Sequence, residues 1–178
     1  MSVNRATIDS GILTLAGAPA LSPFRLRKLL KSLGEVCADV VSVQTQYLHF
    51  AEIDAPLDAT AQDKLRRLLH YGPSHEALHC EGSLFLVVPR PGTLSPWSSK
   101  ASDIARNCGL DSVRRIERGI AYYVSCETLP DAATRLRIAA RLHDRMVESV
   151  LEDIGDAARL FVHAEPRPLR HVDILGGG

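Results

Sequence analysis

Leu94-Ser95-Pro96-Trp97 repeats the tetrapeptide Leu21-Ser22-Pro23-Phe24 at a distance of 73 residues. In each copy, serine followed by proline is typical of a helix start. Serine can cap the first free N–H groups, and proline lacks the N–H that would otherwise stay unpaired. Two further echoes with nearly the same spacing are Leu57 with Leu129, and Leu69-His70 with Leu142-His143. A constant spacing of this kind predicts an internal duplication.

Around these echoes, the apolar pattern predicts the order strand, helix, strand, helix twice. In the first half the four elements are expected at residues 11–16, 22–34, 40–53 and about 60–70. In the second half they are expected at 84–88, about 99–108, 113–125 and from 130 or 131 to 150. The predicted fold class is therefore α+β. It consists of two fused units, ferredoxin-like in character and related by pseudo-twofold symmetry, with their helices packed on one face of the sheet. Two unrelated runs with the same element order are the alternative.

The predicted elements divide the chain into four segments. Residues 1–16 form an amino-terminal extension and the first strand, 12–80 the first α+β repeat, and 83–155 the second repeat. Residues 156–178 form an extended segment, in which 160–164 has the pattern of a short strand and two prolines enforce extended backbone. The closing Gly176-Gly177-Gly178 is typical of a linker. We therefore expect the native chain to continue into a further domain.

Composition argues against several classes of partner. Lysine plus arginine and aspartate plus glutamate number 21 each, so no net charge favours nucleic acid or an anionic membrane. The apolar runs fall short of the roughly 20 residues of a membrane helix, and the amino end lacks the pattern of a signal peptide. The four cysteines have no zinc-type spacing, which favours reduced structural thiols. We expect a cytoplasmic protein with neither a nucleic-acid nor a membrane partner.

His75-Glu76-Ala77-Leu78-His79 matches the H-E-x-x-H pattern of zinc hydrolases. In that pattern two histidines one helical turn apart bind the metal, and the glutamate acts as general base. The motif requires a helix and a third ligand, but Gly72-Pro73 and Gly82 confine it to a predicted connector. A chance match in a connector is the interpretation we favour, and we expect no metal site.

The loop before the second helix packs three prolines, the only tryptophan and several hydroxyls into residues 89–100. Proline makes such a loop stiff. Three interpretations remain open: Ser98, Ser99 and Lys100 bind a phosphate at a helix start; Ser98 or Ser99 merely caps the helix; or the loop is a docking surface centred on Trp97. The candidate site residues are Arg90, Thr93, Ser95, Trp97, Ser98, Ser99, Lys100, Asp103 and Asn107.

The sequence assembles no catalytic constellation. The serines of the loop lack a neighbouring histidine, and the seven histidines are scattered along the chain. The terminal glycines have neither the preceding strand nor the following helix of a nucleotide-binding loop. We therefore predict no catalytic residue and no bound cofactor in this chain.

The central loop and helix resemble a known signature. Pro91-Gly92-Thr93-Leu94-Ser95-Pro96-Trp97-Ser98-Ser99-Lys100-Ala101-Ser102-Asp103-Ile104-Ala105 is similar to the amino-terminal domain of large, single-chain phosphoribosylformylglycinamidine synthases. The resemblance extends over most of the chain from about Gly17. It includes Tyr47-Leu48-His49-Phe50-Ala51, Leu68-Leu69-His70-Tyr71-Gly72-Pro73, Arg115-Ile116-Glu117-Arg118-Gly119 and Val172-Asp173-Ile174-Leu175-Gly176.

The resemblance implies a place in de novo purine biosynthesis. The family's complete enzyme is a ligase that uses ATP and magnesium to convert formylglycinamide ribonucleotide to formylglycinamidine ribonucleotide. A glutaminase domain with a cysteine nucleophile supplies the ammonia. The resemblance also implies that this domain corresponds to a small dimeric subunit fused into one chain, which agrees with the duplication. None of Cys37, Cys80, Cys108 and Cys126 stands in the glutaminase motif.

The expected function is therefore that of an assembly domain, inactive on its own. Its partners would be the synthetase and glutaminase domains of the same enzyme. The candidate residues of the loop would dock on the synthetase core or line the ammonia route. The alternative is a free-standing α+β module that binds a ligand or regulates another protein.

Overall fold

The computed structural model describes residues 7–9, 11–71 and 81–162, and in these ranges the strands form one six-stranded antiparallel sheet. The strands are β1 (Thr7–Asp9), β2 (Ile12–Ala16), β3 (Val40–Ile53), β4 (Ser83–Pro89), β5 (Val113–Cys126) and β6 (Glu148–Leu151), in the spatial order β1-β2-β3-β5-β4-β6. The helices are α1 (Pro23–Gly34), α2 (Ala59–Leu69), α3 (Pro96–Asn107), α4 (Ala132–Leu142) and a 3₁₀ helix (Gly155–Phe161).

The predicted duplication is visible in the lengths of the elements. Helices α1 and α3 have 12 residues each, α2 and α4 have 11, and β3 and β5 have 14. Each second element begins 73 residues after the first. The helix caps recur as well: Ser22 and Ser95 cap α1 and α3, and Asp58 and Asp131 cap α2 and α4. The predicted α+β fold is therefore confirmed.

The two halves meet along β3 and β5, at the centre of the sheet. Tyr47 on β3 lies opposite Ile120 on β5, and these two residues are 73 positions apart. A residue that lies opposite its own duplicate marks the symmetry axis of a duplicated fold. The pseudo-twofold axis therefore passes through the sheet between Tyr47 and Ile120.

The four α-helices cover one face of the sheet, as predicted. Helices α1 and α4 pack over Val43, Tyr122 and Val124, and α2 and α3 pack over Ala51 and Ile116. Neighbouring strand residues point to opposite faces of a sheet. On the other face, the 3₁₀ helix packs its apolar side chains on the sheet, in a cluster that includes Leu48, Phe50, Leu86, Ala157, Leu160 and Phe161.

Helix α3 begins three residues earlier than the sequence pattern predicts. It starts at Pro96 rather than about Ser99, because Ser95 is the N-cap. The Ser95 hydroxyl accepts a hydrogen bond from the Ser98 N–H at 3.0 Å. The expectation that Ser98 or Ser99 caps this helix is therefore wrong, and the Ser-Pro pair itself is the start signal.

Helix α4 ends at Leu142, whereas the apolar spacing predicts a helix as far as Val150. Asp144 is the physical reason. Its carboxylate accepts a hydrogen bond from the Met146 N–H at 2.9 Å and its carbonyl accepts one from the Glu148 N–H at 2.8 Å. Aspartate often stabilises a turn in this way, by bonding the backbone two residues further on, and here the turn forms in place of further helix. Val150 then pairs with Val87 as part of β6.

The end of the described chain also differs from its prediction. Leu160 and Phe161, assigned to a strand by their pattern, belong to the 3₁₀ helix. Strand β1 has no counterpart in the predicted elements. The zinc-like motif at residues 75–79 and the extended segment from residue 163 onward lie outside the described residues.

Candidate interface around Trp97

Five side chains meet near the pseudo-twofold axis on the helix-bearing face. We call them the Trp97 cluster: Tyr47 and His49 from β3, Tyr71 from just after α2, Trp97 from α3 and Arg118 from β5. His49 and Arg118 are directly opposite each other in the β3–β5 pair. The cluster lies between the two apolar cores formed by α1 with α4 and by α2 with α3.

Arg118 is held between two aromatic rings. Its Cζ lies 4.5 Å from the Tyr47 ring centroid and 4.6 Å from that of Trp97, and its Nη1 donates a hydrogen bond of 3.1 Å to the Tyr71 hydroxyl. A guanidinium this close to aromatic faces is attracted by their negative quadrupoles. Within the described part of the chain, Arg118 has no carboxylate partner. Its position is therefore fixed while its charge remains uncompensated.

His49 forms the floor of the cluster and is fully buried. Its Nε2 lies 2.7 Å from the Tyr71 hydroxyl. Burial, together with the positive charge of Arg118, lowers the pKa of His49 to about 4, and the backbone of Leu15 opposes this shift only in part. Burial likewise raises the pKa of Tyr71. Arg118 can only donate to Tyr71, which leaves the Tyr71 hydrogen for Nε2 of a neutral His49.

Gly17 leaves the space that the His49 ring occupies. A Cβ at this position would lie 2.6 Å from His49 Cε1 and 3.1 Å from the Tyr47 Cβ. We expect Gly17→Ala to lower the free energy of unfolding by about 1–3 kcal/mol, because overpacking forces neighbours from their positions. Urea denaturation measures this change.

Gly34 provides the control for that substitution. It is the last residue of α1, and a Cβ there would meet no atom within 4 Å. Gly34→Ala should leave the stability unchanged or slightly raised. Equal losses in the two variants would show that the space beside His49 does not matter.

The loop before α3 is fixed by a buried ionic network as well as by its prolines. Glu117 has no exposed surface, and it accepts hydrogen bonds from the Ser95 hydroxyl at 3.2 Å and from Arg115 at 2.5 and 3.1 Å. Arg115 also donates to the Thr93 carbonyl at 2.8 Å. Both ends of the 93–95 segment are therefore tied to β5.

The predicted site residues have different environments. Trp97 is half-buried in the cluster, Ser98 is fully buried, and Ser99 donates to the Ser95 carbonyl at 3.4 Å. The carbonyl of Arg90 accepts hydrogen bonds from the N–H and hydroxyl of Thr93. Lys100 and Asn107 are exposed, and Asp103 forms an exposed ion pair with Arg106 at 3.1 Å.

Three of the predicted residues also share a second, polar groove. Thr93, Ser99 and Asp103 line this space of about 770 Å³, which lies at the amino-terminal end of β5. The three arginines that line it, Arg106, Arg114 and Arg115, are all paired with carboxylates. Since its arginines are already paired, this groove offers no free cation to an anionic partner and is a weaker candidate than the Trp97 cluster.

Sequence reasoning about the loop missed four members of the cluster. Tyr47, His49, Tyr71 and Arg118 come from three elements far from Trp97 in sequence, and only the fold brings them together. The one signal that pointed to them was the family resemblance, because its quoted segments contain all four.

The cluster is built from both halves of the duplicated domain, but it exists at only one of the two positions that the pseudo-twofold axis relates. Apart from Tyr47, which lies at the axis itself, each member has an equivalent position 73 residues away that carries a different residue. These equivalents are Phe24 for Trp97, Thr45 for Arg118, Tyr122 for His49 and Asp144 for Tyr71. At the equivalent position, the Leu21 N–H donates to the Thr45 hydroxyl at 3.2 Å. Phe24, the equivalent of Trp97, is 68% exposed, and Leu94, the equivalent of Leu21, is 58% exposed. The two halves have therefore diverged at this position.

Comparison with known protein families gives a match over most of the described chain. The family model for the formylglycinamide ribonucleotide amidotransferase N-terminal region matches residues 46–161. The chain belongs to this family. The match runs from β3 to the 3₁₀ helix of this amidotransferase domain and includes every member of the Trp97 cluster.

Among the described residues, no group of three or more His, Cys, Asp or Glu side chains is arranged to hold a metal ion. Within the same residues, no helix is both long enough and apolar enough to cross a membrane.

Proposed function

We propose that this domain is the assembly domain of a phosphoribosylformylglycinamidine synthase. The complete enzyme would be a cytoplasmic ligase that uses ATP, magnesium and glutamine to convert formylglycinamide ribonucleotide to formylglycinamidine ribonucleotide. The domain itself contributes no catalytic residue. It docks on the synthetase core and, with the glutaminase domain, helps to close the route by which ammonia reaches the core.

The observation that carries this proposal is the one-sided Trp97 cluster. A surface needed only for folding would recur at both positions related by the pseudo-twofold axis, since the α1–α4 and α2–α3 pairs pack on the same face of the sheet. Here only one of the two positions carries a tryptophan, an arginine without a carboxylate partner in the described chain and a loop tied down by Glu117 and Arg115. Tryptophan and arginine are the residues most enriched in the energetic centres of interfaces.

The rigid loop also suits a wall of an ammonia route. Such a route has to keep its shape and exclude water while ammonia moves between domains. The loop is tied to β5 by its Thr93 carbonyl and its Ser95 hydroxyl, and the apolar side chain of Leu94 projects between these anchors with 58% of its surface exposed. In our proposal the docked core covers Leu94 and Trp97.

Trp97→Ala in the full-length enzyme tests both parts of the proposal. We expect glutamine-dependent synthesis to fall while glutamine hydrolysis continues, so that more glutamate is released per product molecule. Activity with ammonium as the nitrogen source should be retained, because the chemistry lies in another domain. Parallel assays of glutamate and of formylglycinamidine ribonucleotide measure the ratio.

Phe24→Ala is the matched control, because Phe24 is the duplicate of Trp97 and its side chain is 68% exposed. It should leave the ratio of glutamate to product unchanged.

A second experiment adds the isolated domain to an enzyme that lacks it. Failure to bind or to restore synthesis would overturn the docking proposal, and tight binding of a purine intermediate to the isolated chain would favour a free-standing module.

A further inference from the structure

An apolar groove runs between α2 and α3, directly beside the Trp97 cluster. Its volume is about 160 Å³, and its lining includes Leu68, Tyr71, Trp97, Lys100, Ala101 and Ile104. An engineered cavity of about 150 Å³ inside a protein holds one benzene molecule. The groove is thus large enough for one bulky apolar side chain.

The internal duplication supplies a comparison for this groove. The equivalent positions on α1 and α4 carry basic residues: Arg141 stands for Leu68, Lys28 for Ala101 and Lys31 for Ile104. Surface positions that need only solvent contact can carry lysine or arginine, as α1 and α4 demonstrate. On α3, Ile104 is nevertheless apolar and 44% exposed. The groove therefore has an apolar character that folding of this helix pair does not demand.

The charges around the groove indicate the sign of its occupant. Lys100 lies on its lining, and Arg118 is stacked on the Trp97 ring that forms part of its wall. In residues 11–71 and 81–162, neither cation is paired with a carboxylate. A ligand that brings a negative charge next to its apolar group would complement both of them.

We infer that the α2–α3 groove receives one bulky apolar side chain, flanked by a carboxylate, from another domain of the same enzyme. The inference rests on the proposed docking function and names the anchor that the docking uses. The apolar side chain fills the space between Leu68, Ala101 and Ile104. The carboxylate pairs with Lys100 or Arg118 at the cluster end of the groove.

A series of small probes tests the groove without any partner domain. The probes share one benzene ring and differ in charge: 3-phenylpropionate, neutral benzyl alcohol and cationic 2-phenylethylamine. Trp97 is the only tryptophan of the chain and lines the groove, so its fluorescence reports occupancy. We expect 3-phenylpropionate to reach half-saturation at the lowest concentration and 2-phenylethylamine at the highest.

Ile104→Lys gives α3 the residue type that Lys31 provides at the equivalent position of α1. We expect this variant to raise the half-saturation concentration of 3-phenylpropionate by about tenfold, which corresponds to the loss of one good contact. In the full-length enzyme, it should also weaken the binding of this domain to the remaining domains. Leu136→Lys on α4 is the matched control, because Leu136 is an apolar helix residue that is 73% exposed and lies outside the groove.

The outcomes separate this inference from the proposed function. If the domain restores synthesis to an enzyme lacking it, but Ile104→Lys changes neither that restoration nor probe binding, the groove inference is wrong and the docking proposal stands. If the probes bind in the expected order but the domain does not associate with the enzyme, the docking proposal fails, and with it the assignment of the occupant to another domain. Equal binding of all three probes would contradict the carboxylate.

Discussion

Glu117→Ala is expected to lower the free energy of unfolding by about 3–5 kcal/mol, the cost of removing one partner of a buried ion pair. Glu117 has no exposed surface, and the side chain of its partner Arg115 is only 12% exposed. The substitution leaves the guanidinium desolvated without its counter-charge. It also leaves the Ser95 hydroxyl without its acceptor, so the cap of α3 is weakened as well. Urea denaturation followed by Trp97 fluorescence measures both effects.

An exposed ion pair provides the control for this substitution. Asp103 and Arg106 pair on the surface of α3, with 67% and 62% of their side chains exposed. Asp103→Ala should change stability by less than about 1 kcal/mol, since solvent screens such a pair. A loss of similar size in both variants would mean that burial of Glu117 contributes nothing, and that water already compensates Arg115.

The fold could be predicted from the sequence because the duplication repeats each local signal for a helix or a strand. The Ser-Pro starts and the long strands 40–53 and 113–125 recur at one spacing, so each half supports the interpretation of the other. The predicted elements are wrong where a tertiary contact or a local polar contact prevents the helix or strand that the spacing of apolar residues indicates. The Asp144 turn ended α4 early, and packing on the sheet placed Leu160 and Phe161 in a 3₁₀ helix.

The candidate site could be predicted only in part. The loop and Trp97 stand out because proline and tryptophan are rare and close together in sequence. Arg118 and His49 are ordinary residues of two long strands, and nothing in their neighbourhood marks them as partners. Their meeting depends on the register that puts them opposite each other. Register is a property of the strand pair, which a single strand sequence does not specify.

His49 should make the stability of the domain fall in mild acid. In the folded state its pKa is about 4, against 6.5 for an exposed histidine, because burial and Arg118 disfavour the charged ring. Between these two values the unfolded chain binds a proton that the folded chain does not. Stability therefore falls as the pH is lowered from 6.5, and this contribution is lost by the time the pH passes below 4.

The size of the effect follows from the difference between the two pKa values. Each pKa unit corresponds to about 1.4 kcal/mol, so the loss should reach about 2 kcal/mol at pH 5 and about 3 kcal/mol at pH 4, relative to neutral pH. Carboxylates titrate in the same range, so the informative quantity is the difference between the wild-type chain and a chain without this histidine. His49→Gln and His49→Phe both remove the titrating ring.

Both variants are expected to be less stable than the wild type at neutral pH, because each disturbs the contact with Tyr71 that Arg118 supports. The pH dependence is a separate quantity from that loss. As the pH falls from 7 to 4, the wild type should lose about 3 kcal/mol more than either variant, measured by urea denaturation at each pH. If all three chains lose stability in parallel, His49 has the same pKa in the folded and the unfolded chain, so the folded domain binds this proton once the pH falls below about 6.5. Arg118 would then have a positively charged neighbour directly opposite it, and the uncompensated charge of the Trp97 cluster would be twice what a neutral His49 allows.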